Sequence, residues 1–412
     1  MSPLTGPDVP AGFAKVGAGA LAPGSPLGVY VHFPFCGVHC PYCDFAVEVR
    51  AEIPHHEYAD AVIAEINARR RWFAGSTGLT SIYFGGGTPG LWRPDALGGV
   101  VAAARAAFGD PDAAALEITV EANPGEIDGT HLRALRAAGV NRLSLGLQST
   151  DDRLLRTLGR NHDAAAGATA VAAARAAGFD NLSLDLMFGV PGQTFDDWKR
   201  SVAAALALSP EHLSAYALTI ERGTPFGSLA RAGRLPRPDD EATAEMFTWA
   251  QAAFADAGLA QYEISSYARA GRRARHNALY WTGAPYLGVG ASASSFRPLA
   301  DGSGWRFANP RAVATYLAAA RRGGGSPRPV HIEHRSPAAL ENEALWLQLR
   351  TSDGVDRGAH AARHGRDPLQ GRATAVQGCA AAGWLAVDDG HLRLTAQGRL
   401  FADEVAARLW LD

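Results

Sequence analysis

Between residue 27 and about residue 220, short apolar runs alternate with longer stretches of helical period. No other feature of the chain restricts its fold as much. The apolar runs fall at 27–32, 81–84, 116–122, 142–147, 182–188 and 213–218, the pattern of short strands covered on both faces. Helical patterns lie near 55–73, 93–107, 130–138, 163–177 and 195–207, with an extra turn expected after Asp151. Strand–helix units repeated in this way require parallel strands joined by crossovers. The expectation is therefore an α/β fold, as an open sheet or a full or partial barrel. In such folds chemistry gathers beyond the C-terminal ends of the strands. Cys36 follows the first run, Gly85–Pro89 the second and Gln148 the fourth. Glu121 and Asn123 end the third, and Asp185 lies in the fifth.

Beyond about residue 225 the alternation weakens. A helix is expected over 239–257, an extended segment over 261–267, and an irregular, aromatic stretch over 276–295. The segment 323–329 (GGGSPRP) reads as a linker. After it come a helix over 337–349, a hairpin over 384–394 around Asp389-Gly390, and a last helix capped by Thr395 and running to about Trp410. This gives a flexible tail at 1–26, an α/β unit at 27–225, an extension at 226–322, and a smaller, mostly helical, winged-helix-like domain at 330–412. A chain of 412 residues has room for two or three such units. The formal net charge of −2 offers no footprint for nucleic acid. No apolar run reaches about 18 residues, so no transmembrane segment is expected. The first 26 residues lack a basic start followed by an apolar core, so they do not read as a signal peptide, and a cytoplasmic location is expected.

Three of the four cysteines lie within VYVHFPFCGVHCPYCDFAV, spaced C-x3-C-x2-C at Cys36, Cys40 and Cys43. Such a loop presents three soft thiolates from one side, suited to zinc, copper(I) or an iron–sulfur centre. Zinc would complete its set with His39 or His32. Cys379 lies far away in an alanine-rich helical pattern and reads as a small buried side chain. Three thiolates are one fewer than a 4Fe–4S cluster takes from protein. The open iron can then accept the amino and carboxylate groups of S-adenosylmethionine, which the rest of the chain must grip along its length.

The cysteine spacing, Tyr42 before the last cysteine and the run Gly85-Gly86-Gly87-Thr88-Pro89 together resemble the radical SAM superfamily. From about residue 27 onward, YVHFPFC, YFGGGTP, EANP, NRLSLGLQS, LGRNH, LDLMFGVPGQT, YEISSYA and HNALYW resemble the HemN/HemW family. This family contains the oxygen-independent coproporphyrinogen III oxidases and their heme-chaperone relatives. The resemblance implies a partial (βα)6 barrel and a HemN-type C-terminal domain. It implies a 4Fe–4S cluster on Cys36, Cys40 and Cys43. It also implies a S-adenosylmethionine site lined by Tyr30, Tyr42, Gly86, Gly87, Thr88, Glu121, Gln148, Arg160 and Asp185.

Two departures point to the chaperone branch. Cys43 is followed by Asp44-Phe45 where the oxidases carry a further cysteine, and only 29 residues precede Tyr30. The segment from His276 to Trp281 resembles an HNxxYW motif associated with heme, with the His276 imidazole as an axial ligand. On this reading the chain binds heme and passes it to an acceptor such as a respiratory enzyme. An electron donor serves its cluster, and a homodimer is compatible. The alternatives are porphyrinogen oxidation and another radical SAM tailoring reaction, such as methylation.

Overall fold

A computed structural model describes residues 13–110, 112–324, 326–388 and 390–411. Six parallel strands build the centre: β1 (Leu27–Phe33), β2 (Leu79–Gly86), β3 (Glu117–Ala122), β4 (Arg142–Gln148), β5 (Leu182–Phe188) and β6 (His212–Ala217). Between them run α1 (His55–Arg69), α2 (Pro94–Phe108), α3 (Gly129–Ala137), α4 (Asp152–Thr157), α5 (Ala164–Ala176) and α6 (Phe195–Ala207). The turn expected after Asp151 is α4, and the Asp151 carboxylate caps it through Arg153 N and Leu154 N.

The period-2 alternation of each strand settles what it faces. Leu27, Val29, Val31 and Phe33 of β1, with Leu182, Leu184, Leu186 and Phe188 of β5, point outward into one large apolar core under the helices. The alternate positions point inward and are mostly polar or glycine. They are Tyr30 and His32, Ser81 and Gly85, Glu117 and Glu121, Arg142 and Gly146, Ser183 and Asp185, then His212 and Ser214. The strands are thus buried on both faces, but only the outer face is apolar. The inner face is a polar lumen.

The barrel stays open. Strand β6 continues into the antiparallel pair β7 (Ala260–Glu263) and β8 (Ser266–Ala268), which replaces the single extended segment expected at 261–267. On the other side β1 pairs in parallel with β9 (Tyr286–Val289). Three antiparallel strands then follow: β10 (Ser294–Pro298), β11 (Gly304–Ala308) and β12 (His331–Arg335). The twelve strands form one sheet in the order β12-β11-β10-β9-β1-β2-β3-β4-β5-β6-β8-β7. The stretch 276–295, expected to be irregular, is therefore helix and strand. Helices α7 (Pro225–Arg231) and α8 (Asp240–Asp256) lie between β6 and β7 in sequence, and α9 (Arg275–Thr282) lies between β8 and β9.

The expected flexible tail also needs correction. Residues 1–12 lie outside the described residues. From Val16, however, the chain is docked: Val16 is buried in the main core, Leu21 bridges Leu299, and Arg297 donates to the carbonyls of Ala18 and Gly19. At the other end, a second small core gathers Leu345, Val376, Cys379, Leu385, Leu392 and Val405. The order there is helix Pro337–Leu349, strand Val355–Asp356, helices Arg357–His364 and Ala373–Ala381, hairpin Leu385–Val387/His391–Leu394 and helix Ala402–Leu409. The helix at 337–349 and the hairpin are where the sequence put them, whereas the strand and the two helices between them were not expected, and the last helix starts at Ala402 without a side-chain cap rather than from Thr395. Gly325 of the expected linker and Asp389 of the hairpin turn lie outside the described residues.

Candidate cluster and ligand site

The cysteine loop leaves the end of β1 and is held from below by an aromatic layer. Phe33 stacks on Trp92 at 4.7 Å, Phe35 meets Tyr58 edge-on at 5.4 Å, and the Tyr58 hydroxyl donates to the His32 carbonyl at 2.8 Å. Phe35–Cys36 pairs with Glu48–Val49, closing the loop as a short two-stranded ribbon. From the adjoining strand end, Gly87 N donates to Phe33 O and Thr88 N to Phe35 O, both at 2.8 Å. Gly87 has to be glycine for this clamp. A Cβ there would lie 2.6 Å from Phe35 O and 2.9 Å from Phe33 O.

A continuous polar chain connects two of the thiols. The Thr88 hydroxyl donates to Cys36 Sγ at 3.6 Å and accepts from Asn123 Nδ2 at 3.0 Å. Asn123 Oδ1 accepts from Arg160 Nη2, and Arg160 Nη1 donates to Cys40 Sγ at 3.7 Å. Asn123 Nδ2 also donates to Glu126 Oε2 at 2.9 Å. Burial pushes the Cys36 thiol up to about 11, with Thr88 opposing it, and burial also raises Cys43. Binding to a metal would reverse this, because a metal-bound thiol is deprotonated.

Among the described residues, no three His, Cys, Asp or Glu side chains are arranged to hold a single metal ion. Three thiols spread around one loop, two of them receiving hydrogen bonds from a hydroxyl and a guanidinium, suit a larger iron–sulfur core.

The lumen beside the loop carries the remaining residues. Glu121 accepts from the Tyr83 hydroxyl at 2.6 Å and from Gly86 N at 3.2 Å. Burial, helped by nearby Asp185, lifts its pKa to about 7. Asp185 is raised by burial too, although Ser144 and Ser183 donate to it. Glu121 and Arg160 do not pair with each other. Arg160 instead reaches the Gly146 carbonyl at 3.0 Å, and its buried Nε has no partner. A Cβ on Gly146 would stand 3.0 Å from Asn123 Oδ1, 3.0 Å from Gln148 Nε2 and 3.3 Å from Arg160 Nη2. Those three polar groups therefore converge over a position that glycine leaves bare. Gln148 takes up a left-handed backbone with φ of 62°, an uncommon state for a side chain of its size. A cradle of carboxylate, amide and guanidinium beside open thiols fits an amino acid sulfonium with its ammonium, carboxylate and ribose groups.

Two expected residues have other surroundings. Tyr42 packs its ring on Phe226 of α7 with centroids 6.4 Å apart, while its hydroxyl is hydrogen-bonded to Cys40 and lies near Arg160. His276 is buried at the floor of the lumen, 1% exposed, with Nδ1 on the Ser81 hydroxyl at 2.8 Å and Nε2 on the Tyr280 hydroxyl at 2.9 Å. Its backbone N–H and that of Arg275 both donate to Glu117. Burial pulls the His276 pKa down to about 3. With both ring nitrogens engaged, His276 offers no free imidazole to an iron.

The group that α9 does deliver to open space is Tyr280. It lines a cavity of about 340 Å³ with Tyr30, Tyr286, Phe45 and Arg311. Tyr30 donates to or accepts from His32 Nδ1 at 3.1 Å, and His32 Nε2 meets the Ala46 carbonyl at 3.0 Å. Only a protonated Nε2 satisfies that carbonyl, so Nδ1 accepts from Tyr30. Sequence reasoning missed Asn123's place in the thiol chain and Arg311 altogether. The EANP segment was the available signal for Asn123. Arg311 gave none.

Comparison with known proteins gives the family and the fold. A model of the radical SAM superfamily matches residues 30–205, and a model of the HemN C-terminal domain matches residues 336–401. The heme chaperone HemW of Bacillus subtilis (strain 168) is 36% identical over 378 residues, covering 91% of this chain and 97% of that protein. HemW of Mycobacterium tuberculosis (strain H37Rv) is also 36% identical, over 395 residues, with 95% and 96% covered. The mitochondrial radical S-adenosyl methionine domain-containing protein 1 of Bos taurus is 37% identical over 340 residues, covering 81% of this chain and 75% of its own length. Among solved structures, the coproporphyrinogen III oxidase HemN of Escherichia coli superposes with a TM-score of 0.80 over 97% of this chain and 92% of its own. At 22% identity that likeness speaks for the fold alone.

Proposed function

The chain belongs to the HemW family of the radical SAM superfamily, and on that premise we propose that it is a heme chaperone. In this reading it binds heme and hands it to an acceptor hemoprotein. It holds a 4Fe–4S cluster on Cys36, Cys40 and Cys43 and S-adenosylmethionine in the lumen between Glu121, Gln148, Arg160 and Asp185. Held there, a cluster would supply one-electron reducing chemistry to a sulfonium ligand. The protein's own part is positional. Thr88 and Arg160 steady the thiolates, Glu121 receives the ligand's ammonium, and Arg160 has a spare donor for its carboxylate.

The observation that carries the heme reading is the cavity beside the cluster loop. Asp44, Phe45 and Ala46 of the cysteine loop line it together with Tyr30, Tyr280 and Tyr286, so aromatic rings are available to a flat ligand. Phe45 is 68% exposed at its mouth, an apolar surface where the oxidases carry a thiol. Arg311, hydrogen-bonded to the Asp44 carbonyl at 2.8 Å, offers a cation to a propionate. No helix among the described residues is long and apolar enough to cross a membrane, which is compatible with the proposed cytoplasmic location.

The test pairs two measurements on one anaerobically reconstituted sample. Heme titration is expected to show retention by the wild type that drops at least tenfold in Tyr280→Ala and in Arg311→Ala. Coproporphyrinogen III is expected to remain unconverted. Equal heme retention in wild type and both variants, or formation of protoporphyrinogen, would overturn the assignment, the latter in favour of the oxidase.

A further inference from the structure

Below the cradle, at the start of β4, the lumen floor holds a buried cation. Arg142 is 2% exposed and points inward. Thr119 of β3, 0% exposed, stands beside it in register on the same face. Among the described residues the Arg142 guanidinium forms no ion pair and no side-chain hydrogen bond. Its Nε is buried without a partner, and so is the Thr119 hydroxyl. Register partners on adjacent strands lie about 5 Å apart, so both orphaned groups open on one spot. The groups around that spot are already engaged. His212 meets the Ser183 hydroxyl through Nδ1 and the Tyr262 hydroxyl through Nε2, both at 2.8 Å, as His276 meets Ser81 and Tyr280. Glu117 takes the N–H groups of Arg275 and His276, Glu121 those of Tyr83 and Gly86, and Asp185 the hydroxyls of Ser144 and Ser183. Burial favours the neutral form of both imidazoles, and of Glu121 and Asp185 as well. A guanidinium cannot shed its charge in the same way, and a buried one left unpaired is costly.

We propose that Arg142 and Thr119 form a site for a small monovalent anion, a halide or a formate-sized carboxylate, whose occupancy favours the cationic ligand in the lumen above. The coupling, though not the site, rests on the S-adenosylmethionine reading. One guanidinium calls for one negative charge, and the hydroxyl adds a second kind of donor to it. A spot bounded by neighbouring strand positions suits an ion of few atoms. The ligand above carries a sulfonium and an ammonium. An uncompensated guanidinium in the same low-dielectric lumen repels both, and an anion on Arg142 cancels that field. By linkage each then tightens the binding of the other.

The test follows thermal unfolding of the full chain with reconstituted cluster in sodium chloride, formate, sulfate and gluconate at one ionic strength. Chloride and formate are expected to raise the melting temperature over gluconate by about 2 °C or more, with sulfate no better than gluconate. Arg142→Met should melt alike in all four salts. Thr119→Val leaves the charge in place and should keep less than half of the wild-type shift, which decides the matter should Arg142→Met not fold. Equal melting of the wild type in all four salts would overturn the site and leave Arg142 to water alone. A full chloride shift in either variant would do the same, by placing the ion elsewhere. Equilibrium dialysis then reads the coupling. S-adenosylmethionine is expected to bind the wild type about fivefold or more tightly in chloride than in gluconate, and Arg142→Met equally in both. Weaker binding in chloride would make Arg142 the ligand's own carboxylate contact and overturn the proposal, and equal binding would overturn the coupling. No binding in any salt would sink the S-adenosylmethionine reading, while chloride-dependent melting, which needs no such ligand, would still support the site.

Discussion

The carboxyl of Glu121 is buried, and the cost of charging it there, increased by Asp185, holds its pKa up at about 7. The folded protein therefore binds that proton more tightly than the unfolded chain, whose value is 4.5. Its contribution to stability is fully present below about 4.5 and is lost as pH rises through 7. Without ligands, Glu121→Gln should melt higher than the wild type at pH 8 and lose most of that advantage at pH 5. Equal shifts at both pH values would contradict the assignment. The same substitution should weaken S-adenosylmethionine binding about tenfold or more at pH 8, the loss of a charge-assisted hydrogen bond, read by equilibrium dialysis. Of the residues read from the sequence, Thr88, Glu121, Gln148 and Arg160 come together beside the cysteines, whereas His276 does not face open space. Its direction is set by Gly28, where a Cβ would lie 3.2 Å from its ring, and by Ser81 across the lumen. Neither neighbour is visible in the local motif.

The element that matters most to the cluster is the turn after β2, because it clamps the cysteine loop through two backbone hydrogen bonds. Gly87→Ala drives a methyl group into the carbonyls of Phe33 and Phe35, which are backbone and have little room to yield. It should cost about 1–3 kcal/mol and leave reconstituted protein with well under half the iron of wild type, measured by iron assay. Wild-type iron content would show that the clamp is dispensable. The six central strands were legible because each carries a hydrophobic outer face. Their polar inner face was read less well, since Ser, Glu and Arg at alternate positions resemble strand ends rather than the wall of a lumen. Strands β9 and β10 were not legible at all. Tyr286–Val289 and Ser294–Pro298 are four and five residues long and owe their extended form to pairing with β1 and with β11.

Across the whole molecule, one buried network ties the first helix to the last strands of the sheet. Glu65 and Arg69 of α1 pair at 2.5 Å, both essentially inaccessible. Glu65 also accepts from Gly290 N, Asn309 Nδ2 and the Tyr316 hydroxyl. Arg69→Met strands a buried carboxylate and should cost about 3–5 kcal/mol in urea unfolding. A loss below 1 kcal/mol would show the network to be ornamental. The sequence could not disclose it, because Glu65 meets Gly290, Asn309 and Tyr316 across more than 200 positions. The same separation bears on biogenesis. Strand β1 has β2 on one flank, but its other flank is closed only by Tyr286–Val289, about 250 residues later. At about 5–20 residues per second, a ribosome takes roughly 10–50 s to supply that cover. Throughout this interval the nascent chain carries its cysteine loop on a half-walled scaffold, open to whatever machinery loads metal onto newly made protein.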